Sequence, residues 1–189
     1  MKRFILLIIF FLPFFLSAQK IKKEDIINWS NERPLTWVDF KGKVDPANKL
    51  EAAATCTQLI VTPDNQSKDS IKYFVYAQAV KTKSWKLKKE DSDYMLKHEQ
   101  THFDIAELFA RKLRKELTET AFTTKTLNSQ VEKLFNKYFK LLEEEQTKYD
   151  KETNHSINKE KQAEWNDKIK KDLSSYESYS NPLVLVNVK

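Results

Sequence analysis

Three side chains in one short run have the types and spacing to do chemistry together. In LKHEQTHFDIAEL (96–108), His98, Glu99 and His102 are spaced H-E-x-x-H. On a helix, histidines at i and i+4 have Cβ atoms about 5–6 Å apart and lean the same way. Their imidazoles can converge on one metal ion, with metal–nitrogen distances of roughly 2.0–2.1 Å for zinc. Glu99 lies one step round the helix, where it reaches a water on the ion rather than the ion itself. The spacing therefore assigns chelation to His98 and His102 and general-base work to Glu99. The competing reading is a chance run of polar residues. The face shared by His98 and His102 continues into Ile105, Phe109 and Leu113, an apolar stripe that must be buried. Two buried histidines without a metal would each need hydrogen-bond partners, and one ion satisfies both.

A catalytic zinc site takes three protein ligands and keeps a position open. The chain has three histidines, and the third is His155, in YDKETNHS (149–156). Other oxygen donors are Asp104, Glu107, Asp150 and Glu152. Asp104 points away from the histidine pair on a helix, and Glu107 is too far along it. Asp150 and Glu152 can ligate, but each is better suited to accepting the remaining ring N–H of a ligand histidine and fixing its tautomer. The residues alone leave the third ligand open.

The elements that must position these groups are a sheet and helices. TCTQLIVT (55–62) and IKYFVYAQAVK (71–81) are rich in β-branched and aromatic residues, and PDNQSKDS lies between them as a turn, so a hairpin is expected. RPLTWVDFKGKVDP is read as a short strand ended by a turn at Gly42. From about Glu90, capped by Asp91 or Ser92, some 28 residues lack Pro and Gly and form a helix carrying the motif. A second helix starts near Thr126, with Val131, Leu134, Phe135, Tyr138 and Leu142 at helical spacing, and YDKETNHS breaks it. A third covers roughly 158–173 and sets Trp165 and Ile169 four apart; NPLVLVNVK adds a strand or simply packs. The fold class is α+β: a small N-terminal antiparallel β-sheet followed by a helical part with H-E-x-x-H on a long helix.

MKRFILLIIFFLPFFLSAQ has the basic start, apolar run and small-residue cleavage site of a secretory signal, assigned to residues 1–18. The run of about 13 residues is shorter than the roughly 20 that span a bilayer. The mature protein is therefore expected to be secreted or periplasmic, without stable membrane insertion, as one domain over 19–189. Lys2 and Arg3 supply two of the formal +6 charges and leave with the signal. Lysines and glutamates are interleaved throughout, and Gly42 is the only glycine, so neither a nucleic-acid stripe nor a phosphate-cradling loop is present. Cys56 is the only cysteine, which excludes an intramolecular disulfide; TCTQLIV reads as a buried thiol in a strand.

RPLTWVDFKG (33–42), SWKLKKEDSDYMLKHEQTHFDIAELFARKL (84–113), YDKETNHS (149–156) and QAEWNDKI (162–169) resemble the DUF922 proteins, described as predicted secreted zinc-dependent proteases. Such proteins read H-E-Q-G-H-F-D-I and Y-D-x-x-T-x-H-G; here Thr101 and Ser156 replace the two glycines. Ser lacks glycine's freedom to reach a positive φ, so the turn after His155 is expected to be the harder to form. The resemblance implies His98, His102 and His155 as zinc ligands and Glu99 as base.

The expectation is thus a zincin-like zinc metallopeptidase acting on a peptide or protein substrate. Tyr149, close in sequence to His155, is the expected oxyanion donor, with packing against the motif helix as its alternative role. The strand at 71–81 is expected to offer an edge to an extended peptide. The alternatives are a non-catalytic exported protein stapled by zinc, with Asp150 or Glu152 as fourth ligand, and a metal-free envelope scaffold carried by lysine-rich helices.

Overall fold

The structure, a computed structural model, describes residues 21–44, 51–64 and 70–189. The expected signal segment, the stretch around Pro46 and the middle of the 63–70 loop lie outside the described residues. The described part is a mixed α+β arrangement of three helices and small sheets.

The alternating run at 71–81 forms the long strand of the main sheet. With β1 (Ile26–Asn28), β2 (Ala53–Ala54) and β3 (Thr57–Pro63) before it in the chain, this strand is β4 (Lys72–Val80). It pairs antiparallel with β3 from Thr57 opposite Ala79 to Pro63 opposite Tyr73, so the expected hairpin forms. Tyr73, Val75, Ala77 and Ala79, two apart along the strand, are buried on one face. The other edge of β4 pairs with β1 at one end and with the C-terminal β7 (Leu183–Leu185) at the other. β4 is therefore interior, and the edge expected at 71–81 is already occupied. Among the described residues, the outer edges of this sheet are β3 on one side and β1 and β7 on the other.

RPLTWVDFKG also differs from expectation. Trp37–Asp39 is a turn of 3-10 helix rather than a strand. The Asp39 carboxylate accepts from the Thr36 backbone N–H (2.9 Å) and hydroxyl (3.0 Å) and is clamped by Arg33 at 2.7 Å. An acid three residues after a threonine stabilises a helical start, and this local bonding outweighs the strand propensity of Trp37 and Val38. Gly42 then passes against the loop after β4. Its N–H donates to the Ser84 carbonyl at 2.7 Å, and a Cβ there would meet that oxygen at 2.8 Å. Two short pairs complete the sheets: β2 with β5 (Trp85–Lys86), antiparallel, and β6 (Ala121–Phe122) with β8 (Asn187–Val188), parallel.

The motif helix α1 (Asp93–Glu119) runs through the middle, between the sheet and the other two helices. Ser92 caps it, its hydroxyl accepting from the Met95 N–H. Phe103, Ile105, Ala106, Leu108, Ala110 and Leu113 are all completely buried, so this stretch is covered on most of its sides, as a central helix is. His98 and His102 lie in its first three turns, and α2 (Leu127–Thr153) and α3 (Lys159–Ser175) pack beside them.

The expected break at 149–156 begins later than the sequence pattern implies. Residues 149–153 are the last turn of α2, and the chain leaves the helix only at Asn154. Asn154, His155 and Ser156 all have positive φ, at 48°, 49° and 73°. Ser156 thus takes the conformation that glycine would take more cheaply. The turn is held from several sides: the Asn158 N–H reaches the Thr153 carbonyl (2.8 Å), the His155 N–H reaches the Asp150 carbonyl (2.9 Å), and the Tyr94 hydroxyl donates to the Ser156 carbonyl (2.6 Å).

The far half of α1 is fixed by a buried ionic cluster. Glu107 bonds Arg111 (3.0 Å) and Arg114 (2.8 Å), and all three are nearly inaccessible. Arg114 also donates to the Val75 carbonyl of β4, and Arg111 to the Leu173 carbonyl of α3. The cluster therefore locks the sheet and α3 onto the helix that carries the motif. Glu107→Ala leaves two buried guanidiniums short of their acid and is expected to cost about 3–5 kcal/mol, measured by urea unfolding.

Candidate metal centre

Two turns of α1 and one of α2 bring three ligand-type atoms together. The Nε2 atoms of His98 and His102 are 3.3 Å apart. The Oδ1 atom of Asp150 lies 2.9 Å from the His102 Nε2 and 3.4 Å from the His98 Nε2. Ligands held at about 2.1 Å in a tetrahedral shell are about 3.4 Å from one another, so the three atoms are spaced as a zinc-sized ion requires. Among the described residues, His98, His102 and Asp150 form the one such group of three.

The opposite sides of both rings are held by neutral amides. The His98 Nδ1 is 2.7 Å from the Gln162 Oε1, while the Gln162 NH₂ donates to the Tyr149 hydroxyl (2.5 Å) and the Asn166 Oδ1 (2.9 Å). The His102 Nδ1 bonds the Gln146 Oε1, whose NH₂ donates to the His102 carbonyl at 3.0 Å. With each amide nitrogen committed elsewhere, each amide oxygen faces a ring nitrogen that must be the N–H. Both Nε2 atoms then present lone pairs to each other and to a carboxylate. Such a cluster repels itself unless a cation or a proton sits within it.

Without a metal, a proton fills that role. Burial works against a charged His102, but the bond to Asp150 and the charges of Asp150 and Glu99 outweigh it and raise the imidazole to about 9. Burial would raise Asp150, yet the two imidazoles hold its carboxyl well below the usual carboxylate range.

Glu99 faces the same cleft, a cavity of about 280 Å³ that β2, the β2–β3 link and α2 also line. It is 2% exposed. Burial pushes its carboxyl up, opposed by the charges of His102 and His98 and by a 2.7 Å hydrogen bond from the Thr55 hydroxyl to Oε2. The arrangement is a buried carboxylate of raised basicity, fixed by one oxygen, beside a cation-demanding cluster.

The other expected site residues are placed as follows. His155 lines this cavity too, but it is partly exposed, its Nδ1 lies 3.6 Å from the Glu51 Oε1, and it stands outside the three-atom group. Tyr149 is fully buried. Its ring stacks on His98 with centroids 4.7 Å apart, and its hydroxyl donates to the His98 carbonyl at 3.3 Å. Burial raises that phenol well above its ordinary value. The hydroxyl is thus spent on holding the helix, and Tyr149 takes the packing role, outside the lining of the cavity. Glu152 bonds the Trp165 Nε1 (2.8 Å), and Asp104 bonds the Trp29 Nε1 (2.9 Å); both are committed elsewhere. Cys56 sits between β2 and β3, half-buried, on the wall of the cavity rather than inside a strand.

No motif in the sequence singles out Gln146, Gln162 and Thr55; the supporting role expected to suit Asp150 better than ligation is filled by the two glutamines. One signal was available. Gln146, Tyr149, Asp150 and Thr153 fall at i, i+3, i+4 and i+7, which is one face of α2 once the helix is continued to Thr153.

The family model of DUF922, a bacterial protein of unknown function, matches residues 76–156. That stretch runs from β4 through the turn after α2 and contains His98, Glu99, His102, Asp150 and His155, and over these residues the chain is similar to that family. Comparison with curated proteins and with solved structures gives no match.

Two measurements check the geometry. Asp150→Ala is expected to weaken zinc binding at least about 100-fold in a chelator competition, and His155→Ala by less than about threefold; the reverse order would move His155 into the ligand shell. A metal ion bound here would also displace the proton on His102. About one proton per ion should be released at pH 7–8, and affinity should fall as pH drops below about 9. Titration in weakly buffered solution with a pH indicator reads the release directly, and Asp150→Asn should abolish it.

Proposed function

We propose that the protein is an exported zinc-dependent peptidase of zincin-like type, hydrolysing peptide bonds with Glu99 as general base. The observation that carries this reading is the pairing of a partly buried, cation-demanding His98–His102–Asp150 group with a separate buried carboxylate in the same cleft. Zinc, when bound, supplies Lewis acidity that polarises a carbonyl and brings the pKa of a coordinated water towards about 7.

The chain's own residues do the rest. His98 and His102 offer Nε2, with Gln162 and Gln146 holding their tautomers, and Asp150 offers Oδ1. Thr55 ties Oε2 of Glu99, which fixes the carboxylate while its other oxygen takes a proton from the attacking water and returns it to the leaving amine. The elevated basicity that burial gives Glu99 suits a base working near neutral pH. The substrate main chain pairs with the free edge of β3, whose first residue, Thr57, lines the cleft. Export rests on the signal-like residues 1–18. Among the described residues no helix is long and apolar enough to cross a membrane.

A zinc site that serves only as a staple is closed by four protein ligands. Here three lie together, and Glu99 is held back by Thr55, which favours the catalytic reading over the stapled one. Glu99→Gln is expected to bind one zinc with wild-type affinity and to lose at least about 1,000-fold in kcat on an unfolded casein or peptide-library substrate. Wild-type turnover by that variant would remove Glu99 from the mechanism.

A further inference from the structure

The free edge of β3 continues past the metal cavity into a second depression. The Val80 N–H bonds the Cys56 carbonyl, and the Asp64 N–H bonds the Lys72 carbonyl. In an antiparallel ladder, this sets the even-numbered residues of β3 as those bonded to β4. Among the described residues, the N–H groups of Thr57 and Val61, and their carbonyls, therefore point outward along the edge, with Leu59 buried between them. Pro63, which has no N–H, ends the run. Beside this edge a groove of about 410 Å³ opens between Leu59, Val61 and Pro63 on the strand and Asn128, Val131 and Phe135 on α2. Its exposed lining is mainly apolar.

We propose that this groove is a docking subsite for one apolar side chain of an extended polypeptide, about four residues before the bond held at the metal cavity. The proposal rests on the peptidase reading of that cavity. Three features name the occupant. The N–H and C=O groups that Thr57 and Val61 turn outward, without a backbone partner among the described residues, match an extended backbone, which a globular face or a small apolar molecule lacks. The same strand lines both depressions, with Thr57 at the cavity and Val61 in the groove. Four residues of strand span about 13 Å, and the even count keeps both side chains of the bound peptide on one face. β3 runs from cavity to groove, so a chain pairing antiparallel enters at the groove and reaches the cavity with its later residues. An apolar anchor placed away from the reacting centre selects unfolded chains with exposed apolar residues.

The test uses fluorescein-labelled decapeptides rich in Ser and Thr, with one Leu moved along the sequence. Anisotropy is measured with zinc-loaded Glu99→Gln protein and with metal-free wild type. A Leu at the position that reaches the groove is expected to tighten binding at least about tenfold over Ser, as burial of one Leu allows. Phe135→Ala and Val61→Thr should each remove that preference while leaving the thermal midpoint and zinc affinity unchanged; two variants guard against one that fails to fold. Preference for Leu that both variants abolish, without cleavage by wild type, upholds the groove and defeats the peptidase reading. Cleavage by wild type with no preference along the scan, or with a preference both variants retain, overturns the groove and spares that reading. A dimer by light scattering that Phe135→Ala dissociates, with no peptide competition, makes a second copy of the chain the occupant and also overturns it.

Discussion

Two imidazole lone pairs and a carboxylate, all turned toward one point in a half-buried cleft, cannot stay there by themselves. That repulsion is the constraint around which the rest of the protein is arranged. Each ring is gripped from behind by an amide oxygen, so neither can turn to relieve the contact. The amides are gripped in turn, one by Tyr149 and Asn166, the other by the backbone of α1. The free energy that builds this arrangement comes from the core, and a bound cation returns part of it as affinity. The use of amides rather than carboxylates behind the rings adds no further negative charge to a site that already holds Asp150 and Glu99.

The fold makes sense as the support for that grip. α1 is central because it must present histidines on one side and be held against the sheet on the other. The Glu107–Arg111–Arg114 cluster fixes it to β4 and α3, and Tyr149 packs between both histidines and Trp165. α2 supplies Asp150 and Gln146 on one face, and α3 supplies Gln162. The three left-handed residues at 154–156 reverse the chain between these helices and leave His155 at the cavity wall. The link between β2 and β3 closes the other side, with Thr55 on Glu99. The helices thus set His98, His102, Asp150 and Glu99, while the β2–β3 link fixes Glu99 through Thr55 and β3 sets the edge beside it.

Much of this was legible in residue order. The hairpin, the three helices and the buried stripe from His98 to Leu113 follow from local periodicity, which burial enforces. What was not legible depends on where elements end and what they meet. Tyr149 and Asp150 look like loop residues in YDKETNHS, because polar residues cluster there, yet packing against α1 carries the helix on to Thr153. That extension turns Asp150 inward and Glu152 towards Trp165. Strand order likewise has no local signature: β4 looks like an edge until the C-terminal β7 returns to cover it. The roles of Gln146 and Gln162 needed the distance between α1 and its neighbours, which no spacing along the chain encodes.

The central claim is that His98, His102 and Asp150 share one ion. A crystal of the zinc-loaded protein, with an anomalous difference map at the zinc edge, tests it most directly. The account predicts one peak within about 2.3 Å of both Nε2 atoms and the Asp150 Oδ1. A peak coordinated without Asp150, or no peak at this site in zinc-saturated crystals, would contradict it.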